Sequence, residues 1–126
     1  MPSDRSLLGS RGEQIAAKFL TDKGYLLLEA NYRCRWGEVD LIARDGESTV
    51  FVEVRTRRAA TFGGPEESIT KRKPQRLVTT AQTYLSEHGS KDVNCRIDLV
   101  SIKLDQRGKL QPVEHVMSAV DENLLV

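Results

Sequence analysis

Cysteine, histidine and tryptophan are scarce in this chain, with two, two and one among 126 residues. Cys34 and Cys95 are far apart and neither belongs to a CxxC pair, so a zinc ribbon or disulfide framework is not expected and two free thiols are. His88 and His115 are isolated, and the sequence assigns them no role. No apolar run approaches the length of a membrane span. The opening MPSDRSLLGS lacks the apolar region of a signal peptide, so a cytoplasmic protein without a membrane partner is expected. There is no internal repeat and no low-complexity segment. Net charge is only +1, which by itself does not point to a polyanion. A chain with 39% hydrophobic and 29% charged residues fits one soluble domain, residues 1–126, with one core.

The informative stretch is GEVDLIARDGESTVFVEVRTRR, residues 37–58. Two arms rich in Val, Ile, Leu, Phe and Thr, residues 38–44 and 48–55, flank Asp45-Gly46, a strong hairpin signal. Period-two alternation puts Glu38, Asp40 and Ile42 on one face of the first arm and Val39, Leu41 and Ala43 on the other. On the second arm Phe51, Glu53 and Arg55 share a face opposite Val50, Val52 and Val54. A two-residue loop at Asp45-Gly46 sets Asp40 opposite Phe51, with Glu53 on the diagonal. A four-residue loop, residues 45–48, sets Asp40 directly opposite Glu53. Both registers keep the two carboxylates on one face, with Cβ atoms roughly 5 Å apart if opposite and about 7–8 Å if diagonal, whereas a three-residue loop needs a bulge, which could break this alignment. Facing like charges destabilise a strand pair, and a hard cation such as Mg²⁺ or Mn²⁺ relieves them. The bland reading is a solvated sheet face.

Residues 6–23 read as an amphipathic helix, with Leu8, Gly12, Ile15, Ala16, Phe19 and Leu20 on one stripe and Gly24 as its stop. Glu13 sits at the edge of that stripe. Gly9 and Gly12 weaken the helix, and either close approach or fraying accounts for them. Residues 25–29 read as a first strand and residues 30–36 as a polar connection. Its Trp36 either closes the core edge or stacks on a base. A basic, glycine-containing loop over 57–65 leads to a helix that starts within 68–73 and ends at Gly89. Pro74 lies in its first turn, and Leu77, Val78, Ala81, Tyr84 and Leu85 form its apolar face. Lys71, Arg72, Lys73, Gln75 and Arg76 crowd its start, against the helix dipole unless an anion binds there. From Arg55 to Arg76 seven basic residues face two acidic ones, and Arg33 and Arg35 precede the hairpin. That is the footprint either of a phosphate-binding face or of a solvated rim. Residues 95–104 alternate as a strand, residues 105–108 turn, residues 110–116 form an edge strand broken by Pro112, and residues 117–126 end the chain as short helix or coil. The order αβββαββ predicts a mixed sheet flanked by helices, α/β in the α+β range.

The run Gly37-Glu38-Val39-Asp40-Leu41-Ile42-Ala43, then Val50-Phe51-Val52-Glu53-Val54-Arg55 with Arg57, then Phe62-Gly63 and a basic helix, resembles the YraN-type family of bacterial proteins. That family is similar to archaeal Holliday junction resolvases, within the PD-(D/E)xK nuclease superfamily. Its members are described as candidate endonucleases or as of unknown function. The resemblance covers the chain from Gly12-Glu13 to about Val100. It implies a restriction-endonuclease-like domain with Asp40 and Glu53 as metal ligands, the Val54 carbonyl as a further one, and Glu13 as an added acidic contributor. The superfamily's lysine is Arg55 here. Arginine stays protonated and cannot activate water, yet it can bind the scissile phosphate and stabilise charge.

The implied activity is Mg²⁺- or Mn²⁺-dependent endonucleolytic hydrolysis of structured or branched DNA. Arg57, Arg58, Lys71, Arg72, Lys73, Gln75 and Arg76 would hold the backbone without reading sequence. The alternatives are a nucleic-acid-binding module that keeps the fold and cuts slowly or not at all, which Arg55 favours, and an adaptor with no nucleic-acid role. A homodimer is expected by analogy with the resolvases alone.

Overall fold

The structure is a computed structural model and describes residues 4–58, 74–88 and 94–119. Helix α1 (Asp4–Asp22) is followed by β1 (Leu26–Cys34), β2 (Gly37–Asp45), β3 (Ser48–Arg58), α2 (Pro74–Glu87), β4 (Asn94–Leu104) and β5 (Glu114–Val116). The strands form one mixed sheet in the order β1-β2-β3-β4-β5. β1, β2 and β3 are an antiparallel meander, β3 and β4 are parallel, and β5 returns antiparallel to β4. This is the expected α+β domain with the order αβββαββ. None of the described helices is long and apolar enough to cross a membrane.

Each helix covers one face of the sheet. Ala16 and Leu20 of α1 bury against Leu41, Ala43, Val50, Val52, Val100 and Ile102. Leu77, Val78, Ala81 and Tyr84 of α2 bury against Ile42, Phe51, Ile97 and Leu99. The apolar stripes read at 3–4 spacing are therefore the packing faces. α1 stops where Gly24 takes φ +97°, with its N–H donating to the Thr21 carbonyl and the Tyr25 N–H to that of Leu20.

Gly12 marks a close approach, while Gly9 is open. A Cβ on Gly12 would lie 1.7 Å from Thr56 Oγ1, whereas one on Gly9 meets nothing within 4 Å. Gly12→Ala should therefore destabilise the fold by about 2 kcal/mol despite its better helix propensity. Gly9→Ala should stabilise it by up to ~1 kcal/mol. Urea titration of both variants checks this. A Gly12→Ala protein as stable as wild type would mean that α1 does not sit on β3 at Thr56.

Several boundaries differ from the sequence reading. β1 runs to Cys34 rather than ending at Glu29, because it pairs with β2 down to Cys34–Gly37. It is an edge strand with mostly exposed residues, so no apolar alternation announces it. β3 continues to Arg58 along an unbroken parallel ladder with β4, so Arg57 and Arg58 end a strand instead of opening a loop. The edge strand expected over 110–116 is reduced to an isolated Leu104–Leu110 bridge and the three residues of β5. The loop expected up to Pro65, the helix start with Lys71, Arg72 and Lys73, and the end of the chain beyond 119 lie outside the described residues.

Val39 departs from the expected alternation. It packs with Ile42, Phe51 and the α2 face, whereas Leu41 and Ala43 face α1. The change of phase falls at Asp40, where the β2–β3 ladder ends. Asn31, between the Ala30–Leu41 and Tyr32–Val39 pairs, adopts φ 55° there.

Candidate active site

The sheet forks at Asp40. β2–β3 pairing runs from Asp45–Ser48 to Leu41–Val52 and stops. Beyond that point β2 follows β1 to Gly37, while β3 follows β4 to Arg58. The tip of the hairpin is Gly46-Glu47, with Gly46 at φ 62°. The register is the one in which the next step sets Asp40 opposite Glu53, and not the one that opposes Asp40 to Phe51. In place of the next ladder bond, the Val54 N–H donates to Asp40 Oδ2 at 2.8 Å.

Asp40 and Glu53 both line a cleft of about 940 Å³ on the α2 side of this fork. The β1–β2 tip contributes Arg33, Cys34, Arg35, Trp36, Gly37 and Glu38, and the start of α2 contributes Gln75, Arg76, Leu77 and Thr79. Glu53 is buried at 8% exposure. Burial and the Glu53 charge push the Asp40 carboxyl up to about 7, with Glu13 and Glu38 adding to the rise and the Val54 N–H opposing it. Two acids on neighbouring strands at the fork favour a shared proton or a cation between them.

The other expected residues are placed less uniformly. Glu13 comes from α1, across the sheet, and is not a cleft-lining residue. Burial raises its pKa and a hydrogen bond from the Asn31 side chain lowers it. It acts on Asp40 through charge. No group of three or more His, Cys, Asp or Glu among the described residues is arranged to hold a metal. Arg55 follows Glu53 on the same face of β3 and pairs with Ser101 of β4. Its Nε and Nη2 are buried and have no hydrogen-bond partner among the described residues, as is also true of Ser101 Oγ. Buried guanidinium donors normally find acceptors. Gln75 and Arg76 are exposed at the cleft rim. Arg57 and Arg58 lie farther along β3, beside Lys103 and Leu104. Trp36 does not close the core; it is 48% exposed at the tip, with the Arg35 guanidinium 4.9 Å from its ring centre.

The donor set suits a hard divalent ion. Carboxylate oxygens of Asp40 and Glu53 are what Mg²⁺ and Mn²⁺ take, and Mg²⁺ is commonly held by one or two carboxylates plus substrate phosphates. Both residues would hold the ion, with the Val54 carbonyl as a further donor.

Sequence reasoning missed a second polar cluster, on the opposite face. Asp98, fully buried, accepts from Arg96 Nε at 3.0 Å, from His115 Nε2 at 2.8 Å and from the Ser118 N–H at 3.0 Å. Lys23 Nζ lies 2.9 Å from His115 Nδ1, so the imidazole proton sits on Nε2. Arg96 Nη2 reaches the Tyr25 hydroxyl at 2.6 Å and Asp45 Oδ2 at 3.1 Å. This cluster joins β4, β5, the hairpin turn and the end of α1. Its one sequence signal was a lone Asp inside the apolar run of β4, and alternation over residues 95–104 does not reveal its burial. Cys34 and Cys95 are not joined in a disulfide.

The family model described as "Uncharacterised protein family UPF0102" matches residues 12–102. A UPF0102 protein of Moorella thermoacetica is 44% identical over 119 residues, covering 94% of this chain and 99% of that protein. One of Pelotomaculum thermopropionicum is 43% identical with the same coverage. One of Nitrosomonas europaea is 46% identical over 115 residues, covering 91% and 94%. Among solved structures, Pyrococcus furiosus SfsA in complex with Ca²⁺ is similar at 12% identity and a TM-score of 0.41, over 94% of this chain and 65% of that one. With its matched region running from the middle of α1 through the forked hairpin and α2 to most of β4, this chain belongs to the uncharacterised protein family UPF0102, the YraN-type family whose motifs its hairpin carries.

Proposed function

We propose that the cleft is the active site of a metal-dependent endonuclease acting on structured or branched DNA. The observation that carries this reading is the Asp40–Glu53 pair in the fork of the sheet. There the Asp40 carboxyl is pushed up to about 7 by burial and by its neighbour's charge. Such an arrangement costs stability, and strongly perturbed carboxyls in a cleft are the usual mark of a site. When bound, Mg²⁺ or Mn²⁺ supplies Lewis-acid stabilisation of a phosphoryl oxygen and lowers the pKa of water.

The chain's own groups supply the rest. Asp40 is oriented by the Val54 N–H, and Glu53 is fixed by the β3–β4 ladder. Arg55 holds donors that a phosphate oxygen would satisfy, next along β3 from the carboxylate pair. Arg76 and Gln75 at the α2 start face the cleft, where they would contact the sugar-phosphate backbone. The same role is assigned to Arg57, Arg58, Lys71, Arg72 and Lys73, as sequence-independent contacts.

A second reading is a nucleic-acid-binding module that does not cut. It draws on Arg55, which cannot serve as a proton acceptor, and on a carboxylate set of two. Arg55 variants separate the two readings. If Arg55 acts through charge, Arg55→Lys should keep or raise cleavage, whereas Arg55→Ala should lower it about 10²-fold with a smaller drop in affinity. The measurement is single-turnover cleavage of a labelled four-way junction with Mn²⁺. A wild type that binds junction, flap, duplex or single strand yet cleaves none of them selects the binding module.

A further inference from the structure

We infer that Arg35 and Trp36 form a stacking platform for an unpaired nucleobase at the mouth of the cleft. The platform would direct the site to nucleic acid with unstacked bases rather than to continuous duplex. This rests on the reading of the cleft as a nucleic-acid site and narrows its substrate class.

Trp36 is the only tryptophan of the chain, and about half its surface is exposed. An indole in water forgoes the burial that most large aromatics find. Here its position is fixed. The Cys34–Gly37 pair closes the two-residue tip, and the Trp36 N–H donates to Cys34 Sγ at 3.4 Å. Gly37, at φ 148°, lets the tip lie against α2; a Cβ there would come 3.3 Å from Thr80 Oγ1. The Arg35 guanidinium, 4.9 Å from the ring centre, adds a flat cation to the aromatic surface.

The surroundings supply the rest of a nucleotide site. Trp36 shares the cleft with Asp40 and Glu53, and Arg76 faces it from α2. Arg33, also on the cleft, is neutralised by Glu38 at 2.9 Å, so Arg35 and Arg76 are the cleft cations not committed to that pair. A base on the indole would bring its own phosphate toward these charges and toward the carboxylate pair. Within a continuous duplex both faces of every base are covered by neighbours. Only strand ends, flaps, junction centres and single strands offer a free π-face.

The test uses wild type in EDTA. Excited at the red edge, where its three tyrosines do not absorb, it reports Trp36 alone. Titration with oligo-dT, with the same strand made abasic, with oligo-U and with a closed circular duplex, which has no strand ends, should quench emission for the base-bearing single strands. The abasic strand and the duplex should not quench it. Quenching by oligo-dT or by oligo-U supports the platform, and the stronger of the two tells which backbone supplies the base. Trp36→Ala, followed by anisotropy of labelled strands, should lower the ratio of single-strand to duplex affinity roughly tenfold, and Trp36→Phe should restore most of it. Single-strand binding without any change in emission would overturn the inference, as would an equal loss of both affinities in Trp36→Ala. A wild type that binds no nucleic acid at low salt would sink the wider reading together with this one. Quenching without Mn²⁺-dependent cleavage would support the platform and remove only the enzyme.

Discussion

Asp40→Asn should abolish metal-dependent cleavage, by about 10³-fold or more, while making the metal-free protein more stable. The activity loss follows from removing one of two carboxylates that would hold the ion, and general removal of a reacting group costs 10²–10⁴-fold at about this scale. The gain in stability follows from Asp40 itself. Its folded-state value of about 7 stands above the ordinary 3.8, because burial and the Glu53 charge disfavour the ionised form. A carboxyl raised in this way binds its proton more tightly when folded. Its stabilising contribution is complete below about pH 4 and is lost as pH rises through about 7. In EDTA at pH 8 the Asn variant should therefore melt at least about 5 °C above wild type. Below about pH 4 the difference should nearly vanish. Calorimetric titration with Mn²⁺ should give weak heats for wild type, stronger ones with DNA present, and none for the variant. Equal Mn²⁺ binding by both proteins, or a variant less stable than wild type at pH 8, would remove Asp40 from the site.

Asp98→Ala should lower stability by roughly 3–5 kcal/mol, the scale of a buried ion pair broken from one side. Arg96, whose side chain is 12% exposed, would lose Asp98 and keep Asp45, and the His115 Nε2–H and the Ser118 N–H would lose their acceptor. Asp98→Asn keeps an acceptor and should cost less. Because this cluster lies on the α1 face, Mn²⁺ and DNA affinity should be unchanged where the variant is folded. Urea titration checks the first statement and calorimetry below the transition checks the second. A loss below about 1 kcal/mol would mean that β5 is not locked to β4 through this carboxylate.

These two residues also mark what the sequence could and could not disclose. Asp40 and Glu53 were legible because a hairpin turn fixes register locally, and period-two alternation then assigns faces. The turn at Gly46-Glu47 chose between the two registers left open. Asp98 was illegible because its partners His115 and Ser118 come from β5 and the residues just after it, which only the closed sheet brings beside β4. β1 was cut short for a different reason. An edge strand need not alternate in hydrophobicity, and Asn31, Arg33 and Cys34 read as a connection until β2 pairs with them. Trp36 illustrates the same limit, since its exposure depends on a tip whose existence requires that longer strand. The helix stripes, by contrast, were read almost residue for residue, because each packs against a continuous face.

The shape of β1 and β5 bears on how copies of this chain could meet. A sheet edge with free N–H and C=O groups invites another strand unless it is blunted. β1 is interrupted by a register shift between Leu27 and Glu29 and bent at Asn31. At the other edge β5 is three residues long and follows Pro112. Neither margin offers the straight, uninterrupted run that a continuous intermolecular sheet requires. Among the described residues, a contact between copies would therefore have to use helix and loop surfaces rather than these strand edges.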